Sequence, residues 1–261
     1  MSEGKKEILL GDCLELMKDI PNGSIDMILA DLPYGTTACK WDSIIDLDLL
    51  WKQYKRIIKD NGAIVLTASQ PFTTKLISSN YGMFRYEWIW QKDKPNNFAL
   101  ANRMPMKYHE NICVFYSKQP TYNKQMEPRT GSGRDRYKYV VDNSKRTSDH
   151  MTLNDKPKFY DPELKNPSSV QFVSTGRRQD LVHPTQKPVA LMEYLIKTYT
   201  NENDLVLDNT AGSGTTAIAC LNTNRQFIVM EKEQKYYDII LKRVADFNKN
   251  SKQLTLFGDE M

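Results

Sequence analysis

The sequence predicts an α/β fold built on a mainly parallel sheet. Three observations carry this. Short apolar runs alternate with stretches of helical spacing in the first and last thirds of the chain. Several runs are apolar at nearly every position, as strands covered on both faces must be. An acidic residue stands at or just past the end of four of them, and in such folds ligands collect at the carboxyl ends of the strands.

The elements follow in order. I-L-L (8–10) is a short strand closed by Gly11-Asp12, and Cys13 to Ile20 has helical spacing with Leu14, Met17 and Ile20 on one face. Pro21-Asn22-Gly23-Ser24 is a turn into the strand Ile25 to Ala30. Asp48 to Lys59 reads as a helix with Leu49, Leu50, Tyr54, Ile57 and Ile58 inward, stopped by Asn61-Gly62. Ala63 to Ala68 is the next strand, and Pro71 opens the next helix. Y-E-W-I-W (86–90) and N-I-C-V-F-Y (111–116) are two further strands joined by a polar loop. From Ser117 to about Leu181 periodicity disappears, and a long irregular piece in a compact chain is more often functional than accidental. Order returns with a helix from Pro188 to Tyr199, a strand at 204–208 and a glycine-rich turn at 209–216 that runs into a helix through Leu221. A strand at 226–231 and a helix from Glu233 to Phe247, with Tyr236, Tyr237, Ile240, Leu241 and Val244 inward, complete the pattern. Asp12, Asp31, Asp208 and Glu231 are the four strand-end carboxylates and are placed to form one shared site.

The 261 residues suit one large domain or one domain with an insertion. The expected division is 1–116 and 183–249 as two halves of one domain, 117–182 as an insertion, and 250–261 as a tail. Of the net charge of +4, residues 117–187 carry +6 (14 Lys and Arg against 8 Asp and Glu) and the remainder −2. This basic patch fits a polyanion, nucleic acid first, or a solvated loop region; charge alone does not choose. Cys13, Cys39, Cys113 and Cys220 are widely spaced with no C-x-x-C, which points to free buried thiols rather than a zinc site or a disulfide framework, and no metal is expected. No apolar run approaches the ~18 residues that span a bilayer. The N-terminal M-S-E-G-K-K-E lacks the apolar core of a signal peptide, so a cytoplasmic place in a bacterium or its phage is expected, with no membrane partner.

D-N-T-A-G-S-G-T-T (208–216) sets two glycines between a strand and a helix, and Glu231 ends the next strand. Glycine permits a sharp turn and close ligand approach, and the later carboxylate can accept both hydroxyls of a ribose. The turn alone does not separate a nicotinamide dinucleotide from S-adenosylmethionine. It is not a P-loop, because no G-K-[ST] follows.

Together with D-L-P-Y (31–34) and H-P-T-Q-K-P (183–188), this turn resembles the DNA amino-methyltransferases, in the arrangement called the beta class, where the catalytic tetrapeptide precedes the cofactor loop. The resemblance covers about residues 7–116 and 183–246 and departs at two places: Leu32 stands for the first proline of D-P-P-Y, and Asn209-Thr210 for the Pro-Phe of D-P-F-A-G-S-G-T-T. It implies a Rossmann-like methyltransferase fold with circularly permuted motif order, S-adenosylmethionine as cofactor, double-stranded DNA as substrate, and a homodimer. Asp31, Leu32, Pro33 and Tyr34 are then the catalytic residues. Asp31 and the carbonyl of Leu32 would hold the two hydrogens of an exocyclic amine and free its lone pair, and Tyr34 would stack on a base turned out of the duplex. Pro33 restrains residue 32 toward an extended conformation, which keeps that carbonyl directed into the site despite the substitution. Asp12, Thr185, Lys187, Asp208, Ala211, Gly212, Ser213, Gly214, Thr215 and Glu231 are the cofactor residues so implied. Arg129, Arg134, Arg136, Lys138, Lys145, Arg146, Arg177 and Arg178 of the basic segment would meet phosphates or base edges.

Aspartate at the head of the tetrapeptide favours adenine N6; cytosine N4 is the alternative. Cytosine-C5 chemistry needs a nucleophilic cysteine, typically after proline, and none of the four follows one. A nicotinamide-dependent oxidoreductase leaves D-L-P-Y and H-P-T-Q-K-P unexplained, and a catalytically silent DNA-binding module leaves the intact Asp31, Pro33 and Tyr34 without purpose. At the C-terminus, after a polar N-K-N-S-K linker, Q-L-T-L-F (Gln253, Leu254, Leu256, Phe257) resembles the short peptide by which bacterial proteins dock on the DNA polymerase sliding clamp; the other reading packs Leu254, Leu256 and Phe257 on the parent domain.

Overall fold

The computed structural model describes residues 4–35, 42–95, 97–129, 163–176 and 186–258, with side chains through residue 250. The chain divides into two compact units, Met1–Asn123 with Ser169–Met261, and Lys124–Ser168.

The larger unit is an eight-stranded sheet. Its strands are β1 (Lys6–Leu10), β2 (Ile25–Asp31), β3 (Ile58–Ala68), β4 (Phe84–Gln91), β5 (His109–Phe115), β8 (Val170–Phe172), β9 (Leu205–Asp208) and β10 (Gln226–Glu231), in the order β1-β10-β9-β2-β3-β5-β4-β8. Only β5 runs antiparallel to its neighbours, so the predicted mainly parallel sheet is observed. Helices α1 (Cys13–Leu16), α2 (Leu47–Ile57) and α3 (Phe72–Ser79) pack on one face, and α4 (Val189–Tyr199), α5 (Thr215–Asn222) and α6 (Gln234–Gly258) on the other. Side-chain alternation divides each strand between the two layers. Ile28 and Ala30 of β2 join the first core while Met27 and Leu29 join the second; Ile64 and Leu66 of β3 join the first while Ala63 and Val65 join the second. Burial on both faces is why these strands are apolar throughout.

The topology positions the site. From β2 the chain proceeds outward to β3, and from β9 it proceeds outward the other way to β10, so β2 and β9 flank the point where strand order reverses. A crevice opens there at the carboxyl ends of the strands. Asp31 ends β2, Asp208 ends β9, Glu231 ends β10, and Asp12 follows β1.

Several expectations are corrected. The helix expected to run to Lys59 ends at Ile57, and β3 begins at Ile58. Asn61-Gly62 is therefore no helix stop but lies inside the strand, where pairing with β2 shifts register. A Cβ on Gly62 would come within 2.9 Å of the Asp26 carbonyl, so close packing explains this glycine. Leu49 and Leu241, expected inward, are exposed; the buried stripe of α2 is Leu47, Leu50, Trp51, Tyr54 and Ile57, on a repeat of three and four. The segment without periodicity contributes β8, which pairs parallel with β4; three residues are too few to display a period. Helix α6 continues through the expected linker to Gly258, since N-K-N-S-K contains no glycine or proline to stop it. The clamp-like residues Gln253, Leu254, Leu256 and Phe257 thus lie on helical backbone, and their side chains fall outside the described set.

In the smaller unit, β6 (Glu127–Pro128) pairs antiparallel with β7 (Leu164–Lys165), and Lys165 bridges Glu127 at 3.0 Å. Cys13, Cys113 and Cys220 are buried free thiols, and Cys39 lies outside the described residues. No described helix is long and apolar enough to cross a membrane.

Candidate active site

A cleft of about 1180 Å³ opens at the strand ends, and all four predicted carboxylates line it. Its two halves are built differently.

In the first half, Gly212 and Gly214 of the turn between β9 and α5 both adopt positive φ, at 54° and 78°. A Cβ on Gly214 would come within 2.9 Å of Ile240 on α6, so this position needs both the conformational freedom and the small size of glycine. Gly214→Ala should therefore destabilise the fold by about 2–4 kcal/mol, from the backbone cost plus overpacking, as measured by urea denaturation. Glu231 accepts from the backbone N–H of Gly212 and of Glu233, both at 2.8 Å, and so ties the turn to the end of β10. Arg243 donates to the Ser213 carbonyl at 2.6 Å. Ser213 also donates to Gln186 at 3.2 Å, which joins the H-P-T-Q-K-P segment to the glycine-rich turn. Asp12 caps α1 through the Leu14 N–H at 2.9 Å and is reached by Lys232 at 3.3 Å. Ala211 and Thr215 line the same cleft, and Thr185 lies outside the described residues.

Asp208 is the buried anchor of this half. It accepts from the Thr216 hydroxyl at 2.6 Å and from the Thr210 N–H at 3.0 Å. Burial outweighs these bonds and pushes its carboxyl up to about 7. The folded state thus holds the Asp208 proton more tightly than the unfolded chain. The stability that this contributes is complete below the ordinary carboxylate range, near 3.8, and is lost as pH rises through about 7. Asp208→Asn removes the titration. The stability of the variant relative to the wild type should therefore grow by on the order of a few kcal/mol between pH 4 and 8, measured by chemical denaturation without cofactor.

In the second half, Asp31 faces its parallel partner Thr67 across β2 and β3. Its Oδ1 accepts from the Thr67 hydroxyl and lies 2.8 Å from the Tyr34 hydroxyl, which is itself 3.0 Å from Thr67 Oγ1. Its Oδ2 accepts from the Lys187 ammonium at 2.7 Å. Lys187 also lies 3.3 Å from Glu110, whose other oxygen accepts from Lys92 at 2.9 Å. Lys92, Glu110 and Lys187 are all buried. Burial opposes the charge of Glu110, but the ammoniums of Lys187 and Lys92 hold its carboxyl below the usual range. Burial likewise opposes the charge of Lys187, and Asp31 and Glu110 more than offset it, so its ammonium is held above the ordinary lysine value. The Tyr34 ring stacks on Phe72 with centroids 5.3 Å apart, and burial, then the nearby Asp31 and Glu110 carboxylates, hold its phenol well above the usual range. Leu32 buries its side chain in the first core, and Pro33 lines the cleft. Thr210, one of the two substitutions in the turn, donates to the Asp31 carbonyl at 3.1 Å and links the two halves.

Sequence reasoning missed Thr67, Glu110 and Lys92. The available signal was a lysine just past one strand and a glutamate on the next: Trp90 pairs with Glu110 in the register of β4 and β5, which brings Lys92 and Glu110 together from 18 residues apart. Of the expected DNA-binding residues, Arg129 lies in the smaller unit, where its N–H donates to the Glu163 carbonyl at 2.7 Å. Arg134, Arg136, Lys138, Lys145, Arg146, Arg177 and Arg178 lie outside the described residues.

Known proteins are similar to this chain. The family of N6 and N4 methyltransferases described as DNA methylase matches residues 25–242. The chain is 30% identical to the type II methyltransferase M.BglII of Bacillus subtilis over 94% of this chain and 71% of that one. It is 29% identical to the DNA adenine methyltransferase YhdJ of Escherichia coli K12 over 92% of this chain and 82% of that one. The fold superposes on that of the M1.HpyAVI–SAM complex with a TM-score of 0.62 at 24% identity, covering 91% of this chain and 98% of the other. The chain belongs to the N6/N4 DNA methylase family and is a DNA methyltransferase that uses S-adenosylmethionine.

Proposed function

We propose that the protein transfers a methyl group from S-adenosylmethionine to the N6 amino group of an adenine turned out of duplex DNA. The observation that carries this reading is the Asp31 carboxylate, fixed by Tyr34, Thr67 and Lys187 at the lip of the cleft that also holds the glycine-rich turn. The lone pair of an exocyclic amine is delocalised into its ring, which makes it a poor nucleophile. Asp31 and the Leu32 carbonyl accept its two hydrogens and favour a more pyramidal nitrogen. That nitrogen forms the N–C bond as the C–S bond breaks, and the electron pair passes to sulfur. Orientation and proximity supply much of the rate, with no covalent enzyme intermediate. The base must leave the stack to reach the cleft, and the sequence context is read by the basic residues of the 117–182 segment.

Aspartate rather than serine at position 31 supports adenine, as does the likeness to YhdJ, described as an adenine methyltransferase. Single-molecule sequencing of genomic DNA from an expressing host that lacks its own methylation tests the base and the recognition sequence together. Altered polymerase kinetics at an adenine within one short motif are expected. The same signature at cytosine would move the assignment to N4 and leave the mechanism in place.

A further inference from the structure

The buried charges of the second half have more order than an amine acceptor requires. Lys92, Glu110, Lys187 and Asp31 alternate in sign, with contacts of 2.9, 3.3 and 2.7 Å along the series. A buried charge is stable only when paired and hydrogen-bonded, so the series is self-consistent as a unit and poor in any fragment. Lys187 is its centre. Without it, the Asp31 and Glu110 carboxylates would lose the cation that lies between them and holds both in place.

The donors on Asp31 are unevenly distributed. A carboxylate offers roughly four lone-pair sites, about two on each oxygen. Oδ1 faces two hydroxyls, of Thr67 and Tyr34, whereas Oδ2 faces the Lys187 ammonium alone among the described residues. We propose that Lys187, backed by Glu110 and Lys92, is a positioning residue for methyl transfer: it holds the Asp31 carboxylate in place and occupies one side of Oδ2, leaving the other side as the acceptor for the target amine. This rests on the reading of Asp31 as that acceptor. In the step itself, the nitrogen lone pair bonds to the methyl carbon and the C–S pair goes to sulfur. The methylated nitrogen, briefly positive, gives one proton to Asp31 Oδ2, from which it passes to water. Lys187 keeps its protons throughout.

The test compares Lys187→Met, Lys187→Arg and Asp31→Asn by single-turnover methylation of host DNA at saturating cofactor, alongside the dissociation constant for S-adenosylmethionine. Lys187→Met should lower the single-turnover rate by roughly 10²-fold or more while cofactor affinity stays within about threefold. Lys187→Arg, which keeps the charge, should recover most of that loss. Should Lys187→Met not fold, Lys187→Gln takes its place: a rate lowered about 10²-fold at unchanged cofactor affinity supports the proposal, and a wild-type rate overturns it. A lysine variant with weakened cofactor binding but a wild-type rate at saturation would make Lys187 a cofactor ligand and overturn it. An inactive Asp31→Asn beside a fully active Lys187→Met would overturn the inference alone. A fully active Asp31→Asn would overturn the reading of Asp31 beneath it.

Discussion

Asp31→Asn should lower the methyl-transfer rate by about 10³-fold while cofactor binding stays within a few-fold. The substitution keeps the shape of the side chain and changes only its hydrogen-bonding character. An amide oxygen in place of Oδ1 still accepts from Thr67 and Tyr34. The amide nitrogen then takes the place of Oδ2 and turns its hydrogens toward the Lys187 ammonium and the target amine, so donor faces donor on both sides. The alternative orientation restores an acceptor to Lys187 and turns the amide hydrogens to the two hydroxyls, which can accept them. Neither orientation presents a negative charge to the nitrogen as it becomes positive. The wall proposed to hold the cofactor depends on Glu231, Asp208 and the turn between them, which Asp31 does not hold through its side chain. Calorimetric titration with S-adenosylmethionine alongside single-turnover assays separates the two effects.

Glu110→Ala should cost about 3–5 kcal/mol of stability by urea denaturation. Glu110 accepts from Lys92, whose side chain is 1% exposed, and faces Lys187. Removing it leaves the Lys92 ammonium buried without its carboxylate, and desolvation of an unpaired charge is the dominant cost. Lys187 retains Asp31, so the loss falls chiefly on Lys92. The physical cause can be separated from simple loss of packing. The double variant Lys92→Met plus Glu110→Leu removes both charges and fills the space, and should recover most of the lost stability. Equal destabilisation by the single and double variants would instead assign the effect to packing.

The fold was legible because its determinants are local. Uninterrupted apolar runs mark doubly covered strands, and Gly212 and Gly214 mark a turn that only glycine accommodates. The strand-end carboxylates were legible for the same reason: a parallel α/β sheet brings its carboxyl ends to one edge, and Asp12, Asp31, Asp208 and Glu231 do line one cleft. What escaped depends on contacts distant in sequence. Thr67 reaches Asp31 only through the register of β2 and β3, and Lys92 reaches Glu110 only through that of β4 and β5. Gly62 imitates a helix stop because a helix end and a tight strand contact ask for the same residue. Leu49 and Leu241 look inward because leucine is apolar, yet a helix between core and solvent buries only one stripe. The surroundings of Lys187 were half legible. Its motif singled it out, but its ion partners, Asp31 and Glu110, come from β2 and β5.

The central claim is that one cleft brings the methyl donor and a target adenine together at Asp31. Its most direct test is incubation of the purified protein with unmethylated DNA and S-adenosylmethionine carrying a deuterated methyl group, followed by digestion to nucleosides and mass spectrometry, with Asp31→Ala in parallel. The account predicts deuteriomethyl on adenine N6 with the wild type and none with Asp31→Ala. Label on cytosine would contradict the adenine assignment, and undiminished labelling by Asp31→Ala would contradict the mechanism itself.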